Sequence, residues 1–181
     1  MHGITHTRSQ SLIDFAYEFA KKAHGMQERK YTGEPYITHP VAVAQLVASV
    51  TDDCEKICAA LLHDVVEDTP VTYEQLIDIG FMWPIADLVL ELSDVSKPED
   101  GNRAIRKALD REHLAKASVR GKTVKLADMI HNSESILEYD PGFAKIYMKE
   151  MDLLLEVLTE GDPYLYIQAV HIVKNYPTVN K

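Results

Sequence analysis

Apolar residues in this chain recur at helical spacing and almost nowhere alternate. In SLIDFAYEFAKKAH, residues Leu12, Phe15, Ala16, Phe19, Ala20 and Ala23 form one stripe, the mark of a helix that buries one face. Pro40 suits the first helical position of PVAVAQLVASV. Residues 54–68 read as a more uniformly apolar helix stopped by Thr69-Pro70. Thr72 with Gln75 has the form of a capping box, and Gly80 closes that short helix. Pro84 opens another helix through about Leu92.

SDVSKPEDGN is the most loop-like stretch. Asn102 then caps RAIRKALDREHLAKA, and residues 122–138 continue as helix. Asp140-Pro141 starts an amphipathic helix with Tyr147, Met151, Leu154, Leu155 and Leu158 inward, ended by Gly161. Asp162-Pro163 starts the last helix, to about Asn175. The pattern predicts an all-α fold, with residues 1–181 as a single domain.

Bulk properties narrow the function. A chain of 181 residues suits one core, and a net charge of -9 repels polyanions, so a nucleic-acid partner is not expected. A small anionic ligand stays open if a cation receives it. No apolar run is long enough to span a membrane, and MHGITHTRSQ lacks the apolar core of a signal peptide. Cys54 and Cys58 lie four apart on one predicted helix face, which is filler spacing and not a C-x-x-C redox motif. These readings point to the cytoplasm.

The unusual stretch is LLHDVVEDTP. Asp64, Glu67 and Asp68 end an apolar helix whose last turn has no lysine or arginine. Acids there oppose the helix dipole, at about 0.3–1 kcal/mol each when exposed. A bound cation would remove the objection. His63-Asp64, His39 in EPYITHP and Asp128 in TVKLADMIHN supply two imidazoles and two carboxylates. That set suits a borderline divalent ion such as Mn, Fe, Co or Zn, with positions left for water or substrate. Glu67 is i+4 from His63 and Asp68 is i+4 from Asp64, so either acid could orient or deprotonate a metal-bound water. Singly, each residue has a plainer reading: His39 as a helix-entry residue, Asp128 as a partner of Lys125.

The order His39, His63-Asp64, Asp128 resembles the H…HD…D signature of the HD-domain metal-dependent phosphohydrolases. The words RKYTGEPYITHP, LLHDVVEDT and VKLADMIHN are similar to the hydrolase domain of the RelA/SpoT proteins and to the stand-alone small alarmone hydrolases, over about residues 10–160. The resemblance implies that His39, His63, Asp64 and Asp128 hold one Mn2+ ion, and that Glu67 and Asp68 position and activate the attacking water. It implies that Arg29 and Lys30 contact the base and the phosphate side of the pocket, although Tyr31-Thr32 sets them one residue further from His39 than in many members. Asn132 and Ser135 would face the nucleoside, and Lys145 is the candidate for the 5′-phosphate end.

The implied reaction removes the 3′-pyrophosphate of (p)ppGpp, giving GDP or GTP and pyrophosphate. Two alternatives stay open. One is hydrolysis of another phosphorylated nucleotide, such as NADPH or a nucleoside monophosphate. The other is a binding protein that senses a nucleotide without cleaving it. Arg103 and Arg106 border the loop SDVSKPEDGN and could close over a ligand, but a solvated face is their default reading.

Overall fold

The computed structural model describes residues 3–177, and among them the ordered elements are helices. They fall into two compact units, one ending at Ser93 and the other starting at Asp94.

The first unit contains α1 (Gly3–His24), α2 (Thr38–Ala48), α3 (Cys54–Leu62), α4 (Val65–Asp68), α5 (Tyr73–Ile79) and α6 (Trp83–Leu92). Helix α3 is its axis, packed by α1, α2 and α6. Cys58 through Leu62 are all buried, as a helix surrounded on every side requires. Cys58 is filler, as expected, and burial raises its thiol to about 12. Asp53 starts the helix by accepting from the Lys56 N–H at 3.2 Å. The expected stripe of α1 carries Ala16 and Ala20 into the core, while Phe15 is 42% exposed and closes over Phe81 with a ring separation of 5.0 Å. The Thr72–Gln75 capping box forms, and Gly80 takes the left-handed C-cap at φ 111°.

One predicted helix is interrupted. Residues 54–68 were expected to run on, but α3 ends at Leu62 and α4 begins at Val65. His63 Nδ1 lies 2.8 Å from the Ala60 carbonyl, the acceptor that the Asp64 N–H would use in a continuous helix. Asp64 sits at φ -93°, ψ -5°, and its carbonyl accepts from the Asp68 N–H at 2.8 Å. Glu67 and Asp68 therefore belong to a separate turn that starts at Asp64. They do not crowd the end of a long helix, and the dipole objection falls away.

The second unit has a 3-10 turn at Pro98–Asp100, then α7 (Arg103–Leu114), α8 (Val119–Tyr139), α9 (Pro141–Leu155) and α10 (Pro163–Asn175). Helix α8 packs against α9 and α10. Asn102, Asp140 and Asp162 cap their helices as expected, and Ser118 caps α8, which starts at Val119, three residues before the expected start. Gly161 has a packing reason beyond the helix end: a Cβ there would lie 2.6 Å from Leu126 Cδ1 and 3.2 Å from the Lys122 carbonyl carbon. Among the described residues no helix is long and apolar enough to cross a membrane.

Candidate metal centre

The centre is built where α2 and the α3–α4 break meet within the first unit. His39 is 0% exposed near the start of α2, and His63 is 3% exposed just past α3. Their rings lie edge to face with centroids 5.1 Å apart. Both direct Nε2 at one oxygen, Asp64 Oδ2, from 3.4 Å (His39) and 3.2 Å (His63). Three of the residues expected as ligands from the sequence, His39, His63 and Asp64, are thus neighbours in the first unit.

The tautomer of His63 follows from its partner. A carbonyl only accepts, so Nδ1 carries the hydrogen toward Ala60 and a neutral ring keeps a lone pair on Nε2. That lone pair faces a carboxylate oxygen. Two acceptors at this separation require something positive between them, either a proton on the imidazole or a cation. A pair of imidazole nitrogens and a carboxylate oxygen is also the donor chemistry of a borderline divalent ion. The residues present therefore fit a metal. Burial by itself would raise the Asp64 carboxyl, but the charge of His63 and the hydrogen bonds from His39 and His63 outweigh it and hold the group well below the usual carboxylate range.

Tyr36 is a member of this group that the sequence reading quoted within EPYITHP and did not single out. Its hydroxyl lies 2.7 Å from Asp64 Oδ2 and 2.9 Å from Asp68 Oδ2. Burial, with the two carboxylates beside it, pushes the phenol far above its ordinary range, so it stays a neutral hydrogen-bond donor. Asp68 is exposed, yet its carboxyl is raised by partial desolvation and by the charge of Asp64. Glu67 is also exposed on α4.

Arg29 lies on a tight loop closed by the Arg29 N–H to Glu34 carbonyl bond (2.8 Å), the Gly33 N–H to Arg29 carbonyl bond (3.0 Å) and the isolated bridge between Glu28 and Pro35. Its guanidinium sits 5.7 Å from the Tyr36 ring centre, which draws it toward the centre. Lys30 is turned onto Tyr31, 4.7 Å from the ring centre and 3.1 Å from the hydroxyl.

The remaining expected residues belong to the second unit. Asp128 is buried on α8, where Oδ2 pairs with Lys125 at 2.8 Å and Oδ1 accepts from Asn132 at 2.6 Å. The plainer reading of Asp128, a partner for Lys125, is thus realised. Ser135 Oγ donates to the Asn132 carbonyl at 3.4 Å. Lys145 is exposed on α9. Arg103 does not swing free: it makes two bonds to Glu150, of 2.7 and 2.8 Å, and lies 5.0 Å over the Phe143 ring. The loop that precedes it is tied to the buried Asp110, which accepts from the Val95 and Ser96 N–H groups at 3.1 and 2.9 Å.

A helical chain that brings two buried histidines onto the aspartate of a His-Asp pair has the makings of an HD domain. Residues 16–151 match the HD domain family, and the chain belongs to it. It is 36% identical over 162 residues to the bifunctional (p)ppGpp synthase/hydrolase SpoT of Escherichia coli strain K12, covering 88% of this chain and 22% of that protein. It is 51% identical over 85 residues to a guanosine-3′,5′-bis(diphosphate) 3′-pyrophosphohydrolase of Aquifex aeolicus, covering 47% of this chain and 12% of the relative. The chain spans about a fifth of the length of such curated relatives, 22% in the first case. The solved structure of a metazoan orthologue of SpoT that hydrolyses ppGpp superposes with a TM-score of 0.79 at 28% identity, covering 90% of this chain and 94% of the other.

Proposed function

We propose that this protein is a metal-dependent hydrolase that removes the 3′-pyrophosphate of (p)ppGpp. The observation that carries the reading is the convergence of His39 and His63 on Asp64 Oδ2 in a member of the HD domain family whose relatives include named 3′-pyrophosphohydrolases. His39, His63 and Asp64 would hold one divalent ion, which we assign as Mn2+. Asp128 is assigned as the fourth ligand on the H…HD…D order of the sequence. When bound, such an ion supplies charge neutralisation and a water of lowered pKa.

The chain's own residues do the rest. Glu67 and Asp68 orient the attacking water and accept its proton, and the raised carboxyl of Asp68 suits it to the role of base. The water oxygen bonds to the phosphorus attached to O3′, the P–O3′ bond breaks, and a proton ends on the 3′ hydroxyl. The products are GDP or GTP and pyrophosphate. We assign Arg29 to the base, Lys30 to the phosphates, Asn132 and Ser135 to the nucleoside, and Lys145 to the 5′-phosphate end. Arginine suits the first task because its planar group stacks on a purine. The reading places the activity in the cytoplasm, with the free nucleotides.

Pyrophosphate release from ppGpp, measured after chelation and again after Mn2+ is restored, tests the proposal. Turnover is expected to vanish and return. Glu67→Ala and Asp68→Ala are each expected to lower turnover by about 10²–10⁴-fold while metal and nucleotide affinity are largely kept. Activity that survives chelation, or the double change, would refute the assignment. Orthophosphate from NADPH with none of this turnover would transfer the site to the other substrate.

A further inference from the structure

Three residues of the first unit are linked by contacts beside the acids Asp64 and Asp68. Tyr36 brings one hydroxyl proton to two carboxylate oxygens, 2.7 Å from Asp64 and 2.9 Å from Asp68. Gln27 joins α4 to Tyr36. Its side-chain amide donates to the Asp68 carbonyl at 2.8 Å, and its own carbonyl accepts from the Tyr36 N–H at 2.8 Å. His24 holds Gln27 in turn, with Nδ1 at 2.7 Å from Oε1. The His24 ring also stacks on the Tyr36 ring, with centroids 4.7 Å apart. His24 is 3% exposed, and its Nε2 is buried with no hydrogen-bond partner among the described residues. A buried orphan nitrogen is unfavourable, so the fold tolerates a cost to keep this imidazole against Gln27 and Tyr36.

We propose that Tyr36 is the positioning residue of the metal centre: its hydroxyl ties the carboxylate of Asp64 to that of Asp68, and the His24–Gln27 pair holds Tyr36 and the Asp68 backbone in register. The inference rests on the metal-hydrolase reading above and adds a residue to it. Groups behind the ligands commonly fix ligand orientation, and their loss weakens metal binding by about 10–100-fold. Without the hydroxyl, Asp64 and Asp68 would present bare oxygens to each other, and neither rotamer would be fixed toward the imidazoles. Tyr36 touches neither water nor substrate in this scheme, so its effect runs through Asp64.

Mn2+ titration of the metal-stripped full chain by calorimetry, with thermal unfolding alongside, reads the effect without any substrate. Tyr36→Phe keeps the ring on His24 and removes only the hydroxyl; Mn2+ Kd is expected to rise about tenfold with little change in Tm. Gln27→Met, which cuts the amide strut, is expected to raise Kd about threefold, at the weaker end of hydrogen-bond effects. Tyr73→Phe is the control, since it deletes another tyrosine–aspartate bond of the same unit, Tyr73 to Asp87 at 2.7 Å; its Kd should equal that of the wild type. Wild-type affinity in Tyr36→Phe overturns this inference alone, as does equal weakening by Tyr73→Phe. A wild-type protein that takes up no Mn2+ overturns the metal reading and this inference together. Should Tyr36→Phe fail to fold, Gln27→Met decides, and an unchanged Kd there counts against the proposal.

Discussion

Asp64 and Asp110 are two carboxylates withdrawn from water, one in each unit, and they are held in opposite ways. Asp110 is met by donors on every described contact: the Val95 and Ser96 amides on Oδ1, the Ser96 hydroxyl at 3.0 Å on Oδ2, and Lys107 Nζ at 3.4 Å. Asp64 has one fixed donor, the Tyr36 hydroxyl, and two imidazole nitrogens whose character depends on what lies between them and the carboxylate. Burial would raise both carboxyls. Asp110 is brought below its usual range by the Ser96 amide and the Lys107 charge, and Asp64 by the His63 and His39 rings. The difference teaches how to separate a structural acid from a functional one. A carboxylate closed off by amides and an ammonium anchors a loop, whereas one facing imidazoles can exchange a proton for a metal ion.

That contrast breaks most sharply under truncation. Asp64→Ala is expected to weaken Mn2+ binding by at least about 100-fold, since a direct ligand is worth no less than the groups behind it. The helix content by circular dichroism should be kept. Asp110→Ala is expected to do the reverse, with Mn2+ affinity unchanged and stability reduced by about 1–3 kcal/mol, because the part-buried loop amides lose their acceptor while Lys107 keeps Asp94 at 2.6 Å. Calorimetry and urea unfolding on both variants measure the two effects. If Asp110→Ala loses Mn2+ binding while still folded, the division between anchor and ligand is wrong.

Acid titration sharpens the comparison on the structural side. The Asp110 pKa in the folded protein lies below its unfolded value of about 3.9. Its contribution to stability is therefore complete above about pH 4 and is lost as pH falls through the folded pKa. Asp110→Asn should be less stable than wild type at pH 6, and the gap should narrow in urea titrations carried toward about pH 2. A gap that widens on acidification would contradict the sign of the shift.

Much of this was legible in the chain, and the exceptions share a cause. The Asp-Pro starts at 140 and 162 and the Thr72–Gln75 box predicted helix ends because a cap is a local contact. The His63-Asp64 pair stands out in the sequence because histidine beside an acid is unusual in an apolar helix. The break after Leu62 was hidden, since it arises from the His63 side chain taking a backbone carbonyl and no glycine or proline marks it. Tyr36 was hidden because a tyrosine reads as an apolar filler and its partners lie 28 and 32 positions away. Asp110 has Arg106 four residues before it on a charged helix, and only the folded loop reveals that it receives amides from 14 and 15 positions upstream. What sequence missed were the residues whose meaning depends on a distant partner.

The smallest expected effect concerns the arginine that could have been a lid. Arg103 is 45% exposed and makes its bonds to Glu150 in a two-point geometry. Its guanidinium also covers Phe143 at 5.0 Å. An exposed ion pair contributes about 0.2–1 kcal/mol, and an exposed cation over a ring about 0.5–1 kcal/mol. Arg103→Ala is therefore expected to cost about 1 kcal/mol in urea unfolding, with the ion-pair share screened in high salt. A double-mutant cycle with Glu150→Ala isolates that share, expected at about 0.2–1 kcal/mol. Since both partners are occupied with each other, Mn2+ affinity should not move in either variant. A cycle energy near zero would mean that the two side chains are not held together in solution, and Arg103 would again be available to close over an anion.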